Sequence, residues 1–335
     1  MAKWPKTRAQ EWYAKLPWLC GVNYVPSYAV NTVEFWQEQT FDAQTIGREL
    51  KIAADTGFNS VRVFVQYEVW ANEVEGLISR LERFLSMAAG NGLSVMPVLF
   101  DDCAFNKGNP RMGKQDDPVP GRMMTSWTAS PGHARVTDLS VWPRLEAYVK
   151  ELIGSFRKDA RIVLWDLYNE PGNEGMGEKS LPLLAECFKW ARAAKPSQPV
   201  TSGLWRYDDA MKNLNAVKLK QSDVITFHTY SALADSENII SRLEQENRPV
   251  ICTEWMSRWL NSRMETHLPM FRERGVGCYS WGLVNGRTQT QFGWDTLPKE
   301  ARKNEWFHDL YYGDGRPYEP EEIELIRKVT GASGA

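Results

Sequence analysis

Two glutamates close short apolar segments of the chain. Glu170 ends the segment 161–170, which begins with the apolar run Ile-Val-Leu, and Glu254 ends the segment 249–254. Short apolar runs of this kind are typical of strands covered on both faces. Pro171 follows Glu170, and because proline lacks an N–H and disfavours helix in the preceding residue, the strand ends there. The sequence therefore predicts two carboxyl groups at the C-terminal ends of buried strands.

Predicted strands and helices alternate along the chain. The strands are predicted at 19–24, 59–65, 93–100, 161–170, 199–203, 223–228, 249–254 and 276–281, and the helices at 42–56, 73–89, 141–156, 181–194, 209–220, 236–247, 262–274 and 321–329. Eight alternating units predict the α/β class and a single (β/α)8 TIM barrel over residues 1–335. Residues 1–17 are predicted to be an N-terminal extension, and 103–137 a long loop at the barrel mouth. An open doubly wound sheet is the competing fold. That fold typically has a Gly-rich phosphate-binding turn after its first strand, and Gly-Val-Asn-Tyr-Val-Pro at 21–26 is not such a turn.

The composition indicates a globular protein without a polyanionic partner. Hydrophobic residues make up 43% of the chain, and 40 basic against 42 acidic residues give a net charge of −2. We therefore expect binding neither to nucleic acid nor to a membrane surface. Residues 1–20 contain no apolar region of a signal peptide, and the five cysteines form no Cys-x-x-Cys pair. These features lead us to expect a cytoplasmic protein with reduced thiols.

The strand ends of a parallel barrel open onto one mouth, so the residues there are predicted to lie together. Two carboxyl groups about 5–5.5 Å apart can hydrolyse a glycosidic bond by double displacement, one as nucleophile and the other as acid and then base. Arg62 lies inside an apolar run, where a buried guanidinium needs an acidic partner, and a pairing with Glu254 would keep that carboxylate ionised. The other candidates are Asn23, Asp101, Asp102, Asn169, Trp205, His228, Tyr230, Trp255 and Trp281.

Each of these residues also has a purely structural interpretation. A lone glutamate at a strand end is often a helix cap or a surface acid, and Arg62 could form a structural ion pair. His228 could be a core histidine. Asp101 and Asp102 could bind a divalent metal, although sugar hydroxyls would also be good partners. The chain has four histidines, none of them paired at ligand spacing, so we expect no metal and no cofactor.

The motifs at the strand ends resemble those of a known enzyme family. Asn169-Glu170-Pro171 and Glu254 look like the catalytic signature of the clan A retaining glycoside hydrolases, and the nearest match is family 5, the cellulase-like group. The resemblance runs from residue 18 to about residue 330. It extends to cytoplasmic members often labelled β-xylanase or cellulase. The segments that carry this part of the resemblance are Val-Asn-Tyr-Val-Pro-Ser (22–27), Leu-Phe-Asp-Asp-Cys (99–103), Trp-Asp-Leu-Tyr-Asn-Glu-Pro-Gly-Asn (165–173), Ile-Thr-Phe-His-Thr-Tyr (225–230), Ile-Cys-Thr-Glu (251–254) and Trp-Phe-His-Asp-Leu (306–310).

The resemblance implies a role for several residues. Glu170 would be the acid/base and Glu254 the nucleophile. Many family members carry a histidine at the end of the third strand, where this chain has Asp101 and Asp102, so the subsite for the reacting sugar would be arranged differently. The remaining implied roles are a hydrogen bond from Asn169 to the sugar 2-hydroxyl, contacts of Arg62 and Tyr230 with the nucleophile, His228 lining the subsite, and Trp281 stacked under the sugar.

The expected function is therefore that of a retaining glycoside hydrolase that acts on β-linked oligosaccharides or small glycosides. A catalytically silent carbohydrate-binding barrel is one alternative, and a metal-dependent lyase or isomerase on the same fold is another. The sequence leaves open the sugar, its anomer and linkage, the choice between exo and endo action, and the oligomeric state.

Overall fold

The computed structural model describes residues 2–106 and 108–332, and eight parallel strands form one sheet among them. Their hydrogen-bonded order is β5-β4-β3-β2-β1-β8-β7-β6. Leu204, which follows the fifth strand, forms an isolated parallel bridge with Phe227 of the sixth, and this bridge nearly closes the barrel and confirms the (β/α)8 fold. The strands are β1 (Cys20–Asn23), β2 (Ser60–Phe64), β3 (Ser94–Asp101), β4 (Trp165–Asn169), β5 (Val200–Thr201), β6 (Ile225–His228), β7 (Val250–Trp255) and β8 (Gly277–Trp281).

Helices connect the strands on the outside of the barrel. The predicted helices correspond to α3, α5 and α7 to α12, while α1, α2, α4 and α6 were not predicted. Three of these four have only five or six residues, too few to show a helical period. The helices are α1 (Lys6–Ala14), α2 (Thr32–Trp36), α3 (Ala43–Thr56), α4 (Tyr67–Asn72), α5 (Val74–Gly90), α6 (His133–Thr137), α7 (Trp142–Phe156), α8 (Leu181–Ala193), α9 (Lys212–Gln221), α10 (Leu233–Glu244), α11 (Met264–Glu273) and α12 (Pro320–Thr330).

The N-terminal end of the barrel is closed by the first residues of the chain. Trp4 and Ala9 pack in one apolar cluster with side chains from the starts of several strands, among them Leu19 and Met96. The hydroxyl of Tyr13, in α1, accepts the Gly277 N–H at the start of β8 over 2.7 Å. The segment predicted as an extension therefore seals the barrel at the end opposite the mouth.

The barrel interior above this end is filled by Tyr279 of β8, which belongs to the same apolar cluster. Its ring lies so close to β1 that a Cβ on Gly21 would overlap it, and its hydroxyl donates to Ser60 Oγ over 2.8 Å. Glycine is thus required at position 21 for the ring to fit. Two residues farther along β2, Arg62 forms the floor of the mouth.

Described residues of the segment 103–137 contribute to the mouth of the barrel. The segment is anchored beside the end of β3, where Asp101 and Ser130 exchange backbone hydrogen bonds of 2.7 and 2.9 Å. It is not wholly irregular, since it contains α6. Within the part of the chain that the structure describes, no helix is both long and apolar enough to cross a membrane.

Candidate active site

Glu170 follows β4 in an unusual backbone conformation. Its φ is +43°, in the left-handed region that non-glycine residues rarely adopt. Asp102 fixes the turn that follows, because its carboxylate accepts the Gly172 N–H over 2.7 Å and the Tyr168 hydroxyl over 2.6 Å. Such local strain persists only where the surrounding structure imposes it, and it is concentrated at functional sites.

Three side chains contact the Glu170 carboxyl group. His228 Nδ1 lies 2.8 Å from Oε1, Asn173 Nδ2 donates to Oε2 over 2.6 Å, and Cys103 Sγ lies 3.3 Å from Oε2. Burial raises the pKa of Glu170, while the contacts with Cys103 and Asn173 oppose the rise. This environment favours a carboxyl group that stays protonated to higher pH than an exposed one.

Glu254 reaches the same space from β7 because the strand is irregular. The register between β6 and β7 shifts after Phe227, so that His228 lies opposite Glu254. The Glu254 carboxylate accepts a hydrogen bond from Arg62 Nη1 over 2.8 Å and one from the Tyr230 hydroxyl over 2.9 Å. An arginine and a phenol therefore hold this carboxylate.

Arg62 is completely buried, and all five of its N–H groups have acceptors. The sequence predicted its pairing with Glu254, and the structure shows it. The guanidinium also binds a second carboxylate, since Nε and Nη2 both donate to Asp166 Oδ2, over 3.1 and 2.8 Å. The two remaining N–H groups donate to Asn23 Oδ1 and Asn169 Oδ1. One fixed cation thus orients the nucleophile candidate and the asparagine next to Glu170.

Glu170, His228 and Glu254 converge on one point. A carboxylate oxygen of each glutamate and a ring nitrogen of His228 lie within 4.8 Å of one another. Burial lowers the pKa of His228 to about 4, so the imidazole is neutral at neutral pH. Burial also raises the pKa of Glu254, although His228 and Arg62 oppose the rise. The expectation that Arg62 keeps Glu254 ionised therefore accounts for the charge of the guanidinium but not for burial, which favours the protonated carboxyl group.

The same three groups are of the right types to bind a metal ion. Their ligand atoms are already engaged, however: Glu254 by Arg62 and Tyr230, and Glu170 by Asn173. A guanidinium 2.8 Å from a carboxylate oxygen also repels a second cation at that carboxylate. The arrangement therefore suits proton transfer and nucleophilic attack better than metal binding.

A cavity of about 910 Å³ opens above the two glutamates. Its walls contain most of the predicted site residues: Asp101, Asn169, Glu170, Trp205, His228, Tyr230, Glu254 and Trp281. This volume lies in the range of about 300–1,000 Å³ that is typical of small-molecule sites. The mouth thus has room for a short substrate directly over the carboxyl pair.

Four predicted site residues do not line this cavity. Arg62 lies beneath it, and Asn23, which accepts from Arg62, donates to the Thr253 carbonyl over 2.8 Å. Asp102 is turned toward Gly172. Trp255 points outward, stacks on His267 of α11 at 5.8 Å between ring centroids, and is only 1% exposed. Regular alternation along β7 would turn the Trp255 side chain toward the barrel interior, but the register shift places the Glu254 side chain there instead.

Sequence reasoning missed several residues of the site. Asp166 lies in the same segment as Glu170, and a buried acid within an apolar strand could have been matched to Arg62. Cys103 and Asn173 each follow a strand end by a few residues, a signal too general to single them out. Lys218 of α9 is fully buried, and its ammonium has no hydrogen-bond partner among the described residues. Burial lowers the pKa of Lys218 to about 7, against the opposing charges of Glu170, Asp166 and Asp102.

Comparison with known families and structures gives one sequence match and many structural ones. The family model Cellulase (glycosyl hydrolase family 5) matches residues 23–287. Among curated protein sequences, none matches the chain.

The structural matches are barrels with low sequence identity. The exo-β-1,4-mannosidase Op5Man5 from Opitutaceae bacterium strain TAV5 aligns with a TM-score of 0.64 at 19% identity, over 93% of this chain and 60% of that one. The endo-β-1,4-mannanase from Thermotoga petrophila aligns with a TM-score of 0.61 at 15% identity, over 96% and 77%. GH5_18 from Streptomyces cattleya, in complex with GlcNAc, aligns with a TM-score of 0.59 at 16% identity, over 95% and 82%.

Proposed function

Since the chain belongs to the cellulase family, glycosyl hydrolase family 5, and is a glycosidase, we propose that it cleaves β-linked oligosaccharides or small glycosides with retention of configuration. In this proposal Glu170 is the acid/base and Glu254 is the nucleophile. The observation that carries it is the proximity of the two carboxyl groups, since one oxygen of Glu170 and one oxygen of Glu254 lie within 4.8 Å of each other. Retaining glycosidases hold their carboxyl groups about 5–5.5 Å apart, whereas inverting enzymes leave about 6.5–9.5 Å for a water molecule.

The contacts of each glutamate support its role in the first step. Glu254 attacks the anomeric carbon, and Arg62 and Tyr230 hold its two oxygens so that a lone pair faces the sugar. Glu170, whose pKa burial raises, gives its proton to the oxygen of the leaving group. The ionised Glu170 then keeps the Asn173 N–H donor, with His228 Nδ1 and Cys103 Sγ in contact.

The second step returns both glutamates to their starting states. Glu170, now ionised, removes a proton from a water molecule, which attacks the anomeric carbon and releases Glu254 from the glycosyl ester. His228 Nδ1 is 2.8 Å from Glu170 and 3.6 Å from Glu254, and as a neutral imidazole it can donate Nδ1–H to the ionised Glu170. The cycle consumes one water and transfers the glycosyl unit to it.

The cavity walls support a carbohydrate as the substrate. Trp281 and Trp205 present aromatic surface, which packs on the C–H faces of sugar rings, while Asn169 and Asp101 supply polar groups for hydroxyls. Asn169 is held by Arg62 and donates to Asp101 over 2.9 Å, so its position is fixed before a substrate arrives. We assign it the contact with the sugar 2-hydroxyl. Asn23, Asp102 and Trp255 are left out of the proposed substrate contacts, and Arg62 acts through Glu254 and Asn169.

The roles of the glutamates can be tested by chemical rescue. We expect Glu170→Ala and Glu254→Ala each to lower turnover of an activated aryl β-glycoside by several orders of magnitude while each variant remains folded by circular dichroism. Azide should then give a glycosyl azide of retained configuration with Glu170→Ala and of inverted configuration with Glu254→Ala. The same configuration from both variants would contradict the assignment of roles, even if both variants were inactive.

A metal-dependent reaction is the second candidate, because His228 and the two glutamates could together bind an ion. The two candidates differ in their response to a chelator. Double displacement by two glutamates predicts that turnover of the aryl glycoside is unchanged after dialysis against EDTA. A loss of activity that added divalent metal restores would favour the metal-dependent reaction instead.

A further inference from the structure

Two mouth segments are joined to each other across the barrel. They are the loop after β3, at residues 117–124, and the loop after β8, at residues 286–295, and we call their contact the clasp. Gln289 is at its centre: Nε2 donates to the carbonyls of Val119 and Arg122 over 2.8 and 3.1 Å, and Oε1 accepts the Gly121 N–H over 3.0 Å. Three further bonds complete it: Met124 N–H to the Thr288 carbonyl, Arg122 to Asp295, and Arg287 to Asp117.

Apolar packing supports the clasp from below. Met123, Met124 and Trp127 of the first loop share one cluster with Phe307, which follows the second loop, and with Trp281 at the end of β8. Trp127 is 1% exposed, and its indole N–H donates to Asp101 over 2.8 Å. The clasp is therefore the outer layer of a packed wall, and it does not depend on exposed ion pairs alone.

The clasp lies above β1 and β2, since β3 and β8 are separated by these two strands in the sheet. Polar bonds attach the chain on either side of 117–124 to the segment after β1: Asn31 Nδ2 donates to the Ser126 carbonyl over 2.9 Å, and Gln37 Nε2 to the Gly113 carbonyl over 3.1 Å. Gly286 packs against the backbone of Ser27 so closely that a Cβ would overlap it. This side of the mouth is thus covered by chain that is fixed at several points.

The cavity shows the effect of this cover. Of the described residues that line it, none comes from the segment 24–42 after β1, and Phe64 is the one contribution of β2. On the opposite side the walls come from the segments after β4, β5 and β6, including Asn173, Trp205, Tyr207 and Tyr230. The cavity is therefore walled on the β1–β2 side and extends toward the β4–β6 side.

The positions of Glu170 and Glu254 decide which part of the substrate lies on each side of the cavity. A sugar stacked on Trp281 over Glu254 lies against the wall formed by Met123, Met124 and Trp127. The leaving group must pass Glu170, which protonates it, and so lies on the side where Trp205 donates to the Pro171 carbonyl over 3.3 Å. The part of the substrate that becomes attached to Glu254 consequently lies on the closed side.

We propose, on the basis of the function proposed above, that the clasp limits this part to one sugar, so that the enzyme removes single units from the non-reducing end of a β-linked oligosaccharide. Each turnover converts an oligosaccharide of n units and one water into a free sugar and an oligosaccharide of n−1 units. Chains are not cut internally, because a second unit on the closed side would overlap the clasp.

The test uses β-1,4-mannohexaose and β-1,4-cellohexaose, each labelled with a fluorophore at the reducing end. We expect the labelled pentasaccharide as the first product of whichever probe is cleaved, followed by stepwise shortening. A parallel assay compares 4-nitrophenyl β-glycosides of the same sugar with one and with two units before the nitrophenyl group. Nitrophenol should be released directly from the first compound and not from the second, because two units do not fit on the closed side.

Opening the clasp should change the products. The double variant Gln289→Gly/Arg122→Ala removes the central side chain and the ion pair to Asp295, and glycine suits the φ of +55° at position 289. We expect the ratio of internal to terminal products to rise about tenfold, the lower end of what one steric contact contributes to discrimination between substrates. Lys299→Ala, an exposed change after the clasp in the same segment, is the matched control and should leave the wild-type pattern intact.

The outcomes separate this inference from the proposed function. Internal cleavage by the wild type that Glu254→Ala abolishes would leave the function standing and overturn the inference. An unchanged product ratio in a folded, active double variant would overturn the role of the clasp. If neither the hexasaccharides nor any of a panel of 4-nitrophenyl β-glycosides is cleaved, or if cleavage is unaffected by Glu254→Ala, the proposed function fails and the inference with it.

Discussion

Replacing Arg62 by methionine tests how the fold supports the chemistry. The change removes five donated hydrogen bonds and the positive charge between Glu254 and Asp166, while it retains much of the side-chain volume. Arg62 lowers the pKa of Glu254, so its loss must raise that pKa further above the usual range. An opposite charge at this distance is worth about 1–3 pKa units, and we therefore expect the acidic limb of the kcat/KM profile to move up by about 1–2 units.

The same change should destabilise the protein. Asp166 is completely buried, and it would lose both N–H donors to Oδ2, while its Oδ1 has no partner among the described residues. Removing one member of a buried ion pair costs about 3–5 kcal/mol. For a domain of this size that corresponds to a fall of about 4–7 °C in the unfolding midpoint.

The assay combines pH profiles of kcat/KM on an aryl glycoside with thermal unfolding. Asp166→Asn is the matched control: it also disturbs the buried network, but it removes a negative charge, so the acidic limb should stay in place or move to lower pH. If the methionine variant does not fold, Arg62→Lys takes its place in the test. Because lysine keeps the positive charge, the acidic limb should shift by less. An acidic limb that stays fixed in a folded Arg62→Met variant would refute the coupling between Arg62 and Glu254, the proposed nucleophile.

Two other perturbations probe the acid/base and the core. Asn173 lowers the pKa of Glu170 by donating to it, so Asn173→Ala should move the basic limb of the kcat/KM profile to higher pH with little change in stability; a shift to lower pH would contradict the contact. Gly21→Ala should cost about 1–3 kcal/mol in chemical denaturation, because the new methyl group would overlap Tyr279. Gly47→Ala in α3 is the control and should be neutral or stabilising, because the atom nearest to the added Cβ is 4.0 Å away. Equal losses of stability at both positions would argue against the packing explanation.

The barrel and the place of the site could be predicted because both depend on local patterns. Apolar runs, helical periods and the proline after Glu170 fixed where the strands end, and the parallel topology then required these ends to face one mouth. This reasoning placed Glu170 and Glu254 on opposite sides of one cavity, and it led to the pairing of Arg62 with Glu254. A charge inside an apolar strand is informative on its own, because burial without a partner is too costly.

The rest depends on pairing and packing between distant segments, which no local pattern records. Trp255 and Glu254 are adjacent, and only the register shift of β7 decides which of them faces the cavity. Asp101 and Asp102 are likewise adjacent, yet the first binds Asn169 while the second fixes the turn after Glu170. The clasp joins residues about 170 positions apart in sequence, so it becomes visible only once the loops are placed.

The structure also bears on how two buried glutamates could take opposite protonation states. Burial cannot distinguish them, because it raises the pKa of both. The difference comes from their partners: Glu254 has a guanidinium at 2.8 Å, whereas Glu170 has an amide, a thiol and a neutral imidazole. A fixed charge stabilises an ionised carboxylate more strongly than neutral donors do. The proposed roles therefore require that Glu254 is the ionised group at a pH where only one of the two is ionised, and that Glu170 retains the proton for the leaving group.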